Sequence, residues 1–126
     1  MLVHNCTPKQ VAADYRADAA NGVGGRRNVA VAQHDIDGVP GQHIGVSGQH
    51  TNPGSVAAPT NRVFDPGERP FDSENKIFEH YAANLGSDAR GTINLYSERV
   101  PCPSCSSVID QFRERFPGVQ VNVSWG

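Results

Sequence analysis

Apolar residues recur along this chain with two periods, and the switches between them predict seven elements. Val11, Ala12, Tyr15 and Ala19 keep a helical spacing behind Thr7-Pro8, a cap residue followed by a first-turn proline. Asn21 to Gly25 end that helix. From Asn28 to Ile36 the pattern alternates in part, with Val29, Val31 and Ile36 set against Asn28, Gln33 and Asp35, and predicts a strand. Asp37-Gly38 is a hairpin turn signal, so Gln42 to Ser47 should return beside it. Residues 48–70 contain Pro53, Pro59, Pro66 and Pro70 and little periodic signal, which predicts a long surface loop of the kind that often carries function. Ile77, Phe78, Tyr81 and Leu85 share one face of a helix running from about Asp72 to Leu85 and stopped by Gly86. Thr92 to Tyr96 reads as a strand. Val108, Ile109, Phe112 and Phe116 share a face of a helix from about Cys102 to Phe116, stopped by Pro117-Gly118. Val119 to Val123 alternates as a final strand. The order α-β-β-α-β-α-β predicts an α/β fold with a parallel strand–helix–strand return and one mixed sheet, the last two helices packed together on one face.

The length of 126 residues predicts one domain, and 13 Gly with 9 Pro predict long connections. A net charge of −2 argues against a uniformly basic nucleic-acid binder. Of 11 cationic residues only Lys9 and Lys76 are lysines, and arginine suits planar stacking and phosphate contacts. Three cysteines, an odd number with Cys6 unpartnered, point to a reduced compartment rather than a disulfide scaffold. No apolar run spans a membrane, and the N-terminus lacks a signal-peptide core. Export, if it occurs, is therefore expected as part of something larger.

The chemistry gathers at two predicted helix starts. Pro101-Cys102-Pro103-Ser104-Cys105 places two thiols where free backbone N–H groups favour thiolate, and two intervening residues let both sulfurs reach one zinc. Two thiolates do not complete a zinc site, and Asp72 at the other helix start is the expected third ligand. Asp72 reads equally as a helix N-cap, and both roles can hold with different oxygens. A zinc in such a site lowers the pKa of a water in the open position toward about 7. Glu74, two residues on, reads either as a first-turn carboxylate favoured by the dipole or as the group that moves that water's proton. Glu98 and Glu68 are weaker candidates for the same task. The five histidines form no metal pattern and read mostly as polar surface groups. His80 lies about 12 Å along the helix axis from Asp72. This arrangement parallels H-x-E…P-C-x-x-C of zinc nucleobase deaminases, with Asp in the first position.

The second half resembles the deaminase domains at the C-terminal tips of bacterial polymorphic toxins. The resemblance rests on Asp72-Ser73-Glu74-Asn75-Lys76-Ile77, Gly91 to Glu98, Pro101-Cys102-Pro103-Ser104-Cys105, and Gln111-Phe112 through Pro117 to Val121. Asn28 to Ala32 and Gly45 to Gly48 look like its first two strands, so it covers about residues 28–124. It implies a three-layer deaminase-like fold with a mixed sheet of about four to five strands. It divides the chain into a helix and linker over 1–27 and a catalytic core over 28–126. It further implies Zn2+ on Asp72, Cys102 and Cys105, Glu74 as the catalytic residue, and conversion of cytosine to uracil. The nucleic-acid substrate is expected to be single-stranded DNA, since an unpaired base avoids the unstacking cost of about a few kcal/mol. Asn28 and Ser97 would contact the pyrimidine and Ser47 would bind substrate, with His50 in reach of the pocket. Phe71, Tyr96 and Trp125 are aromatics able to stack a base. Arg62, Arg69 and Arg99 would form a local positive rim for phosphates. The family also implies a cognate immunity protein, a monomer, no membrane association, and secretion within a larger effector acting in the cytoplasm of a target cell. Double-stranded DNA, RNA and a free nucleoside remain alternative substrates. A non-catalytic zinc module and a redox protein remain alternative classes.

Overall fold

The computed structural model describes residues 7–126. Helix α1 (Pro8–Ala17) starts as its sequence dictates, with Thr7 Oγ1 accepting from Gln10 N at 3.2 Å and proline in the first turn. A short 3-10 turn (Ala19–Asn21) follows. Strands β1 (Val29–Ile36) and β2 (Val39–Val46) form the expected hairpin. Its two-residue turn has positive φ at both Asp37 and Gly38, the primed geometry that matches strand twist. Helix α2 (Ser73–Asn84), strand β3 (Gly91–Ser97), helix α3 (Pro103–Arg115) and strand β4 (Val119–Trp125) complete the chain.

The four strands make one mixed sheet in the order β2-β1-β3-β4. β1 is antiparallel to both neighbours, and β3 is parallel to β4, as the crossover through α3 requires. Strand alternation sorts the side chains between two cores. Ala30, Ala32, Ile36, Ile93, Leu95, Val119 and Val121 face α2 and α3, where Ile77, Phe78, Val108, Phe112 and Phe116 meet them. Val29, Val31, Val46 and Tyr96 face the other way, against Ala12 and Tyr15 of α1. The result is the expected three-layer α/β arrangement of four strands. The N-terminal helix closes the second face of the sheet, so residues read as helix plus linker contribute to a core. Tyr96 belongs to that packing and not to a pocket.

The segment 48–70 is the expected long loop without helix or strand, but part of it turns inward. Val56 and Phe64 are buried in the α2–α3 core. Val56 N donates to Ile44 O at 2.8 Å. The buried Glu79 carboxylate accepts from Val63 N at 2.8 Å and Phe64 N at 3.0 Å. At the neck of the loop Gly48 N donates to Phe71 O at 2.9 Å. These contacts fix the stretch that leads into α2.

Gly45 sets how closely α2 approaches the sheet. A Cβ there would lie 2.4 Å from Ser73 O and 3.0 Å from Ile77 Cγ1. Gly45→Ala should therefore push away the helix start that carries Asp72 and Glu74. Overpacking of this kind costs about 1–3 kcal/mol. The expected result is a lower urea midpoint.

The histidines also differ from expectation. His50 is exposed, but His34, His43 and His80 are half-buried around Tyr81. His43 lies 4.4 Å from His80 and 5.4 Å from His34 between ring centroids, and His34 Nδ1 is 2.7 Å from Tyr81 Oη. Burial first, and then the neighbouring charges of His80 and His34, lower the His43 pKa from 6.5 to about 4. The folded state thus holds His43 neutral where the unfolded chain protonates. Its contribution to stability is intact above pH 6.5 and is lost as pH falls from there toward about 4. Denaturation midpoints measured down this range should fall less steeply for His43→Gln than for the native chain.

Candidate active site

Helices α2 and α3 begin at the same place, and their N-cap residues are Asp72 and Cys102. Each cap residue engages its helix through the backbone only: Asp72 O accepts from Lys76 N and Cys102 O from Ser106 N, both at 3.0 Å. Neither side chain caps its own helix. The Asp72 carboxylate instead meets the sulfurs, with Oδ2 3.2 Å from Cys102 Sγ and 3.1 Å from Cys105 Sγ. The two sulfurs are 3.1 Å apart. The N-cap and ligand readings of Asp72 are thus divided between its backbone and its side chain.

Asp72, Cys102 and Cys105 are a group able to hold a metal ion, and it is the one such group among the described residues. Two sulfurs and one carboxylate oxygen are a donor set that zinc accepts. Zinc–ligand bonds of normal length place such donors about 3.5–3.8 Å apart, so the triangle would widen by about half an ångström around an ion. The charge balance points the same way. Glu74 Oε2 adds a second carboxylate 3.3 Å from Cys105 Sγ. Among the described residues neither carboxylate is in an ion pair. Burial first, followed by the Glu74 charge and the bonds to Asp72 and Cys102, pushes the Cys105 thiol far up. A divalent cation relieves this accumulation and releases the proton. Cys6, the remaining donor considered for a closed four-ligand site, lies outside the described residues.

Glu74 is buried, at 2 % exposure, and not a solvated first-turn carboxylate. Ser73 Oγ donates to its Oε2 at 3.1 Å, and Asn28 Nδ2 donates to Oε1 at 3.2 Å. Asn28, at the start of β1, is the hub of the site. Its Nδ2 also reaches Ser73 Oγ at 2.7 Å and Ser97 Oγ at 2.8 Å. Its backbone N donates to Ser47 Oγ at 2.8 Å, and its Oδ1 accepts from Arg99 N at 3.2 Å. Two other residues singled out in the sequence, Ser47 and Ser97, thus meet at Asn28, and Asn28 alone of the three reaches the Glu74 carboxylate.

A cavity of about 300 Å³ opens next to Asp72, lined by Ser47, Gly48, Glu68, Arg69, Pro70 and Phe71. The remaining expected site residues divide. Arg69 is exposed on that cavity. Arg62 is turned inward: it donates to Pro70 O and lies 6.0 Å over the Phe71 ring, so it braces the wall and leaves the rim. Arg99 is exposed, and its Nη2 donates to Gly25 O at 3.3 Å. His50 is exposed, and its carbonyl accepts from Arg27 and Lys76, both at 3.2 Å. Glu98 is taken up by Arg16, at 2.7 Å and 2.6 Å, and by Val29 N at 2.9 Å. That clamp removes it as a rival proton carrier. Glu68 is exposed on the cavity.

Sequence reasoning missed Ser73 and Lys76. Ser73 is fully buried and ties Asn28 to Glu74. The buried Lys76 donates to Val46 O at 2.8 Å and to His50 O, and burial lowers its pKa to about 8. With Arg27 it holds the turn that carries Ser47. The signal available for both was their place inside the run from Asp72 to Ile77.

The toxin-deaminase family described as the BURPS668_1122 family of deaminases matches residues 12–125. No curated protein matches the chain.

Proposed function

We propose, from the premise that this chain belongs to the BURPS668_1122 family of toxin deaminases, that it hydrolyses cytosine to uracil in nucleic acid, most readily in single-stranded DNA. Membership makes the chain a deaminase toxin domain. The finer reading is supported by one observation above all: Asp72, Cys102 and Cys105 converge on one point with the Glu74 carboxylate directly beside them.

Zinc held by these three side chains would supply Lewis-acid activation of a water molecule. Glu74 would take a proton from the attacking water as its oxygen adds to C4 of the ring. It passes a proton to ring N3 and then assists departure of the C4 amine as ammonia, so water and cytosine balance uracil and ammonia. Asn28 and Ser73 hold Glu74 at the donor triangle through this cycle. The base enters the cavity lined by Phe71 and Ser47, with Phe71 as a stacking face and Ser47 as a polar contact, while the buried Asn28 and Ser97 act through Glu74. Arg69 and Arg99 are the exposed cations suited to flanking phosphates.

Residues 1–126 act as one unit in this reading, with α1 as part of the scaffold. A secreted effector would carry the domain into the cytoplasm of a target cell, and the producer would hold an immunity protein. The domain acts as a monomer. No helix among the described residues is long and apolar enough to cross a membrane. The test is to incubate zinc-loaded protein with matched single-stranded DNA, duplex DNA, RNA and free cytidine, and to read uracil formation in each. Conversion strongest on single-stranded DNA supports the full reading. Conversion confined to free cytidine would replace the substrate class.

A further inference from the structure

The β4 edge carries an apolar groove that the chemistry above does not use. Trp125, the one tryptophan of the chain, is 56 % exposed at the end of β4, and Val100 is 64 % exposed on the connection from β3 to α3. With Pro101, Ile109, Arg113 and Val123 they line a cavity of about 270 Å³. Large apolar groups left in water forgo a favourable burial, and here two of them share one concavity.

The groove adjoins the candidate active site from two directions. Pro101 is the residue before Cys102. Trp125 pairs in register with Ser97, whose Oγ accepts from the Asn28 amide that also bonds Glu74. Cations stand at its borders. Arg113 lines it, donating to Val121 O at 2.9 Å and pairing at 3.4 Å with Asp110, which lines it too, and the exposed Arg99 is the residue before Val100.

We propose that this groove is a second subsite, in which a nucleobase adjacent to the target cytosine stacks on the Trp125 indole. The inference rests on the nucleic-acid reading of the active site. Drawing one base into the cavity beside Asp72 breaks its stacking with its neighbours. An aromatic face at the next position replaces the lost stack for any base, because every base has a π-face. The groove thus selects a strand over a free nucleoside, and it does so without reading sequence by hydrogen bonds.

The single tryptophan makes the proposal directly observable. Glu74→Gln protein, which blocks turnover, is titrated with a labelled short single-stranded oligodeoxynucleotide containing one cytosine. Anisotropy of the label reports binding, and tryptophan emission reports the groove. The expected result is quenching of Trp125 in step with anisotropy. In the same background Trp125→Ala should weaken binding about tenfold or more, and Trp125→Phe should retain most of the affinity. Binding by anisotropy with unchanged tryptophan emission would overturn the subsite and leave the nucleic-acid reading standing. No binding at any concentration would overturn the nucleic-acid reading, and the subsite with it.

Discussion

A Glu74→Gln variant is expected to lose deamination by about 10²–10⁴-fold while keeping its fold and its zinc. Glutamine has the volume of the native side chain and can still accept from Asn28 Nδ2, so that bond survives, and the Ser73 hydroxyl loses its acceptor at Oε2. What it lacks is a site for the water's proton. Glu74→Ala is a poorer control. It would leave the Asn28 amide and the Ser73 hydroxyl short of an acceptor in a buried setting, at a cost of about 1–3 kcal/mol. Steady-state uracil formation, zinc content and the thermal midpoint, measured on one preparation, separate the two effects. Near-native turnover would move the proton transfer to another group. Glu68, exposed on the cavity, would be next in line, because Arg16 holds Glu98.

Cys102→Ser is expected to abolish tight zinc binding and, with it, both activity and a share of stability. The native triangle of two sulfurs and a carboxylate becomes one sulfur and two weaker oxygen donors. An ion present at a thousand times its dissociation constant stabilises the folded state by about 4.1 kcal/mol, provided the unfolded chain does not bind it. Chelation should therefore lower the native thermal midpoint toward that of the variant, and added zinc should raise only the native one. The apo site should be poorly stable in its own right, because Asp72, Glu74 and the two thiols crowd together without a cation.

Much of this architecture is legible in the sequence, for physical reasons that can be named. The apolar faces of α2 and α3, the alternation in β4 and the Asp37-Gly38 turn are local patterns, and local patterns set local structure. The Asp72–Glu74 pair and the Pro101–Cys105 run each carry their chemistry within a few residues. What the sequence did not reveal depends on distant partners. Val56 and Phe64 are single apolar residues without a period, and only the Glu79 carboxylate and the core show why they turn inward. Nothing local tells that α1 closes the second face of the sheet, or that Arg62 braces Phe71 while Arg69 stays free on the cavity. The Asn28 hub joins residues up to 71 positions apart and becomes visible only once β1, β2 and β3 are paired.

The most direct test of the central claim is the yield of uracil from a single-stranded oligodeoxynucleotide with one cytosine, incubated with the native chain at matched zinc. The account predicts conversion of that cytosine with an equal amount of ammonia released, and none with Glu74→Gln. An unchanged cytosine with fully zinc-loaded, folded native protein, across DNA, RNA and free cytidine alike, would contradict it.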